Sequence, residues 1–366
     1  MYNNIDANRA IIFPHESAAV SIMQRTPVET MKSILSRIGL EYMDGLPREV
    51  YLTAFFDEFY GDSSWILKML PEALLHYLIE IWENESVDVS GEHWEELQYL
   101  NVFGFLTFAK GDPMLSEPNV IRYTKDMKEN FYFHLKSRKS RKIMEKYTEW
   151  EQVLTGLLYY YGLIELTDLH ICFCRVMKTE VLWEEFKTFL KARCTLWPFG
   201  VFLTDQRNQK EYFQYVNVEN PEYILMYQKE HEDLMYKYPE KEDLIYISGA
   251  AGVDNRWSGV SELVKIFLDE MGMDYYQTTV LIKTLAGMIQ NSAEYESLLE
   301  KAEAIHFQSE EQKEEAIEAI TRLFKTVPLY ELKGFSRNEY QKMFSQKQLK
   351  KRREMFTIIK GGKDRL

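Results

Sequence analysis

Cysteine is scarce: Cys172, Cys174 and Cys194 are the only three in 366 residues. Three thiols make no disulfide framework, and such usage fits a reducing cytosol. Long apolar runs are also missing. No stretch approaches the roughly 18–20 apolar residues of a membrane span. The longest candidate, Val153 to Ile164, already reads as the core face of a helix. The first residues carry no basic segment, and Ala18 to Met23 is too short an apolar core for a signal peptide. The expectation is a cytoplasmic chain with no membrane partner. Positive charge is in deficit: 44 Lys and Arg against 57 Asp and Glu leave a formal net charge of -13. Such a body repels phosphates over most of its surface. The end is the exception, since residues 333–366 hold 11 basic side chains against 3 acidic ones.

No pattern of catalytic residues is present either. Gly249-Ala250-Ala251-Gly252 lacks the Lys-Ser/Thr that grips phosphate and magnesium, so it reads as an interhelical loop. His170, Cys172, Cys174 and Cys194 are metal-ligand types. However, Cys172 and Cys174 lie two apart on a helix and point about 200° from each other, which tetrahedral zinc does not tolerate. Acid pairs such as Glu184-Glu185 and Glu310-Glu311 read as solvated helix faces, with no apolar pocket to raise a pKa. No catalytic residue, metal or cofactor is expected.

What is present is helical periodicity, interrupted twice by strand-like runs. From Thr148, which with Glu151 makes a capping-box pattern, Trp150, Val153, Leu154, Leu157, Leu158 and Tyr161 share one face. Gly162 stops that helix. Leu169, Cys172, Phe173 and Val176 predict a second helix, and Leu182, Phe186, Phe189 and Leu190 a third. Phe199 to Thr204 and Glu211 to Val216 are β-prone and flank a polar turn. Three helices and a hairpin make a winged-helix order. The same order runs from Pro47: Leu52, Phe55, Phe56 and Phe59; Leu75, Leu78, Ile79 and Trp82; then Trp94, Leu97 and Leu100. Strand-like runs follow at Phe103 to Thr107 and Val120 to Tyr123. Two Phe-Gly strand entries, each after three helices, suggest a duplication.

After Pro221 the pattern is wholly helical. The expectation is a mainly α fold with small β-hairpins, two winged-helix-like modules and an all-helical C-terminal domain. Its parts are an N-terminal arm and helix (1–46), a first module (47–134), a basic linker (135–146), a second module (147–218), a helical bundle (219–345) and a basic tail (346–366).

Two short stretches carry resemblances. Leu35-Ser36-Arg37-Ile38-Gly39-Leu40, Gly45-Leu46-Pro47, Leu52 and Phe56 resemble the small helical fold at the N-terminus of the Rho termination factor, which implies a module that often touches nucleic acid. Val327-Pro328-Leu329 through Ser336 and Glu339 resembles a segment of uncharacterised bacterial proteins that accompany SEC-C-type tails, a resemblance that implies no activity.

Three functions follow as expectations. One is a regulatory or adaptor protein acting through protein contacts, which suits the acidic body and helical grooves. Another is a DNA-binding regulator that uses the second module's third helix and wing. The third is an enzyme with an unrecognised site. Candidate contacts to a nucleic acid or partner are Lys136, Arg138, Lys139, Arg141 and Lys142 in the linker; Lys187, Lys191 and Arg193 on the third helix; Arg207 and Lys210 on the wing; and Lys350, Lys351, Arg352 and Arg353 in the tail. Acids on both reading helices, Glu92, Glu95, Glu96, Glu184 and Glu185, place the protein-contact reading first.

Overall fold

The computed structural model describes residues 9–15, 27–37, 45–61, 64–84, 86–88, 97, 100–101, 105–109, 119–196, 199–205, 209–250 and 252–346. The fold is mainly helical with small sheets. It divides into two compact units: residues 1–151 with 181–198, and residues 152–180 with 199–366.

In the first unit, β1 (Arg9–His15), β2 (Ser86–Asp88), β3 (Leu106–Ala109) and β4 (Asn119–Thr124) form a sheet of order β2-β1-β4-β3. β1 runs parallel to β4, and β3 pairs antiparallel with β4, Phe108 opposite Ile121. The helices are α1 (Val28–Arg37), α2 (Arg48–Gly61), α3 (Ser64–Met69), α4 (Glu72–Glu83), α5 (Lys125–Leu135), the start of α6 (Arg138–Tyr161), and α8 (Trp183–Leu196). α4 shows why they pack. Leu74, Leu75, Leu78, Ile81 and Trp82 recur at helical spacing, and all five are buried. Trp82 meets Phe105, which meets Phe131 edge-on at 6.1 Å. α8 packs on α1 and α3, and its Ala192 belongs to this core.

In the second unit the rest of α6 leads to β5 (Leu163–Glu165), α7 (Leu166–Met177), β6 (Gly200–Asp205) and β7 (Lys210–Tyr215). The strands form an antiparallel sheet of order β5-β7-β6. Then come α9 (Pro221–Glu230), α10 (Lys241–Gly249), α11 (Val260–Val264, continuing as a π-helical turn to Glu270), α12 (Tyr275–Gln290), α13 (Tyr295–Glu303), α14 (Glu310–Thr326) and α15 (residues 337–346). Side chains fix several starts. Asn220 accepts from the Tyr223 amide at 3.0 Å, and Asp274 and Gln277 form a capping box. The Ser336–Glu339 pair starts α15, with the Ser336 amide donating to Glu339 at 2.9 Å.

A paired ribbon follows each expected set of three helices, at β3–β4 and at β6–β7. Much else differs from expectation. α6 does not start at Thr148 but is already running from Arg138, so residues 138–146 of the expected basic linker are its first turns. Thr148 instead donates to Glu72 at 3.3 Å. The compact units also cut across the expected second module, because α8 buries its apolar stripe in the first unit. β5 is an added strand, and the stretch after Pro221, expected to be wholly helical, is non-helical between α9 and α10, over residues 231–240. Most of the first module's third helix, the Phe103-Gly104 entry, residues 38–44 of the Rho-like stretch and the tail beyond residue 346 lie outside the described residues.

Gly162 explains how the second unit closes. Its φ is 63°, and a Cβ there would sit 2.3 Å from Cγ of the buried Tyr330 ring. Its carbonyl accepts from the Tyr215 amide at 2.6 Å, tying the end of α6 to β7. Gly162→Ala therefore combines left-handed strain with overpacking and should cost about 2–4 kcal/mol in chemical denaturation. Gly249→Ala meets nothing within 4 Å and should stay within about 0.5 kcal/mol.

Glu339 predicts a pH dependence. Burial opposes its ionisation, but Lys237 at 2.7 Å and the Ser336 amide outweigh that and hold the carboxyl below its usual range. A depressed carboxylate stabilises the fold above its unfolded pKa and loses that contribution as pH falls through the folded value. Glu339→Gln should lower the urea midpoint at pH 7, and the gap from the parent should close below about pH 4. A gap that is constant with pH would contradict the assignment.

Candidate functional site

The second unit carries an open groove of about 980 Å³ between the β6–β7 hairpin and α9. Leu203 and Asp205 of β6 and Tyr212 of β7 form one wall; Leu203 and Tyr212 are cross-strand partners. Glu222, Tyr223, Met226 and Lys229 of α9 form the other. They recur at three- and four-residue spacing, which places them on one helix face. Met226 is 50% exposed, and Val201, on the Leu203 face of β6 by strand alternation, is 44% exposed.

A buried side chain sets the distance between the walls. Gln228 of α9 donates to the Leu163 carbonyl of β5 at 3.1 Å and to the Tyr330 carbonyl at 2.8 Å. Its own oxygen accepts from Tyr236. β5 pairs with β7, so Gln228 fixes α9 against the sheet. Tyr223 stands in the groove with its phenol pushed up, first by burial and then by the nearby Glu331 carboxylate. It remains a neutral donor at physiological pH. The arrangement offers apolar contact, a phenol and acid groups on a wide, open surface. It suits a macromolecular segment better than a small substrate, which needs deeper enclosure.

The expected contact residues are scattered. Lys136 is committed to Glu83 at 2.5 Å, and each holds the other's charge. Arg138, Lys139, Arg141 and Lys142 are exposed on the first turns of α6. Lys187 and Lys191 are half-buried on α8, with Lys187 5.8 Å from the Trp183 ring. Lys210 pairs with Glu165 at 2.6 Å. Arg207 and Lys350, Lys351, Arg352 and Arg353 lie outside the described residues.

Arg193 needs a correction, because a groove-reading cation must be exposed and this one is 1% exposed. It lies over the Phe189 ring at 5.3 Å, with Nη1 3.3 Å from Glu151 Oε2. That contact lacks hydrogen-bond alignment, so Nε and Nη1 have no hydrogen-bond partner among the described residues. Burial raises the Glu151 pKa and lowers that of Arg193, each opposed by the other's charge. The signal was in the spacing: Arg193 falls four residues after Phe189 and seven after Phe186, on the buried stripe.

Cys172 is buried and its thiol is pushed up to about 11 by that burial. Cys174 lies 3.4 Å from His170, one turn earlier on α7. Among the described residues, no three His, Cys, Asp or Glu side chains converge on a metal position. No described helix is long and apolar enough to cross a membrane. No family model, curated protein or solved structure matches this chain.

The buried pair is open to a double-mutant test. Arg193→Met strands the Glu151 carboxylate and should cost about 3–5 kcal/mol, while Arg193→Met with Glu151→Leu should recover most of that loss. Equal losses in the single and double variants, read by urea denaturation, would show that the two charges are not coupled.

Proposed function

We propose that this chain is a non-enzymatic regulatory or adaptor protein that acts through protein contacts at the α9–hairpin groove. The observation that carries the proposal is the groove: it is wide and open, walled by the exposed Met226 and by Leu203, and lined by two acids, Asp205 and Glu222, against one cation, Lys229. Charge complementarity favours a segment that inserts apolar side chains and flanks them with basic ones. The body of net charge -13 adds to that preference. A helix-in-groove contact fits these walls. Three free thiols support a reducing, cytoplasmic setting.

The winged-helix reading of the architecture belongs to this proposal. The order α6, β5, α7, α8, β6, β7 and the strand order β5-β7-β6 support it for the second module. Reading a duplex with α8 has little support. Arg193 is buried, Glu185 is paired with Lys146 at 2.7 Å, and α8 packs on α1 and α3.

Peptide display against the full chain tests the proposal. It predicts selection of apolar peptides flanked by Lys or Arg. Met226→Glu or Glu222→Lys should weaken their binding at least tenfold, and Tyr276→Glu, on the exposed face of α12, should leave it unchanged. Peptides that ignore both groove variants would overturn it.

A further inference from the structure

A second surface, in the other compact unit and independent of the groove, has a different chemistry. α5 ends and α6 begins across a two-residue corner, Lys136-Ser137. The corner is well tied. The Ser137 hydroxyl accepts from the Ser140 amide at 3.1 Å, and the Ser137 amide donates to the His134 carbonyl. Six Lys and Arg and one Glu occupy residues 136–146 of this acidic chain. Lys136 and Lys146 are paired with Glu83 and Glu185. Arg138, Lys139, Arg141 and Lys142 are exposed, and none makes an ion pair among the described residues. At 100° per residue these four fall in one arc of roughly 160°, opposite Ser140, Met144 and Tyr147, which are buried.

Their place on the helix makes the cluster costly. A helix N-terminus carries partial positive charge and favours anions. The first turn of α6 has no acidic residue, and four cations crowd that end. Multiple phosphates would relieve both repulsions together. Phe133, on the last turns of α5 at the same corner, is 80% exposed, the most exposed of the large apolar side chains described. Among the described residues its one ring contact is with Tyr132, edge-on at 5.3 Å.

We infer that the α5–α6 corner binds single-stranded nucleic acid, with Arg138, Lys139, Arg141 and Lys142 on the phosphates and Phe133 stacked on a base. Exposed cations and an open aromatic ring on either side of one corner are the chemistry of single-strand sites. A duplex or a bilayer would bring a broad anionic surface against the acidic body, whereas a single strand need touch only this corner. The site asks nothing of α8 or the tail.

The test is fluorescence anisotropy of the full chain with a labelled fifteen-nucleotide oligothymidylate. Four phosphate contacts predict a log–log salt slope of about -3, so affinity should fall about fifty-fold between 50 and 200 mM salt. Phe133→Ala should weaken binding by about five- to a hundred-fold. Replacing Arg138, Lys139, Arg141 and Lys142 with Glu should abolish it. Circular dichroism should be unchanged, because all five side chains face solvent. Replacing Lys350, Lys351, Arg352 and Arg353 with Glu should change affinity less than twofold. Three results would overturn the inference: no binding at 20 mM salt, binding lost in the tail variant but kept in the corner variant, or binding to phosphatidylserine vesicles as tight as to the oligomer and indifferent to Phe133→Ala.

Discussion

Two buried glutamines hold the second unit together through one tyrosine. Gln290 donates to the Tyr159 carbonyl at 2.7 Å and accepts from the Tyr330 hydroxyl at 3.3 Å, while its backbone carbonyl takes the Tyr330 amide. Gln228 takes the Tyr330 carbonyl together with that of Leu163. The end of α6, the edge of β5, α9, α12 and the segment before α15 thus meet around one fully buried ring. Unpaired carbonyls there would be expensive, so the web has one good arrangement. It also leaves no room for a side chain at residue 162, which is why the chain turns there on glycine. Through Gln228 the same web sets the spacing of the groove walls.

Polar burial takes a second form in the other unit. Arg193 is buried against Phe189 and Glu151 with part of its guanidinium unsatisfied. Such a pair is weak evidence for stability, and its clearest effect is to forbid half-formed alternatives, since either charge alone is worse. Elsewhere in this unit Lys136 and Lys146 are neutralised by Glu83 and Glu185, whereas Arg138, Lys139, Arg141 and Lys142 make no ion pair among the described residues. A bare cationic corner on an acidic chain has a local phosphate preference that the net charge hides.

Helices are legible because burial imposes a 3.6-residue period: Leu169, Cys172, Phe173 and Val176 are the buried face of α7 that their spacing predicts. β5 was not legible, because three residues after a glycine carry no period. The partner of α8 was not legible either. Phe186, Phe189 and Leu190 say which face is buried, not what covers it, and the charge of Arg193 points to solvent while its spacing points to the core. The groove joins residues 203 and 229 through tertiary packing, and nothing local marks Gln228 as the residue that sets its width. The basic run at 136–142 is legible as a cluster, but the division between the paired Lys136 and the bare cations after it depends on Glu83, distant in sequence.

The Tyr330 web acts as one cooperative unit, and native-state hydrogen exchange tests that directly. The amides of Gly162, Tyr215 and Tyr330 all donate to carbonyls around the web, those of Leu158, Gly162 and Gln290. They should exchange with one common free energy and one common denaturant dependence, close to those of global unfolding of their unit. If the Tyr330 amide exchanged through a small local opening while Gly162 and Tyr215 stayed protected, the web would not be what holds the groove.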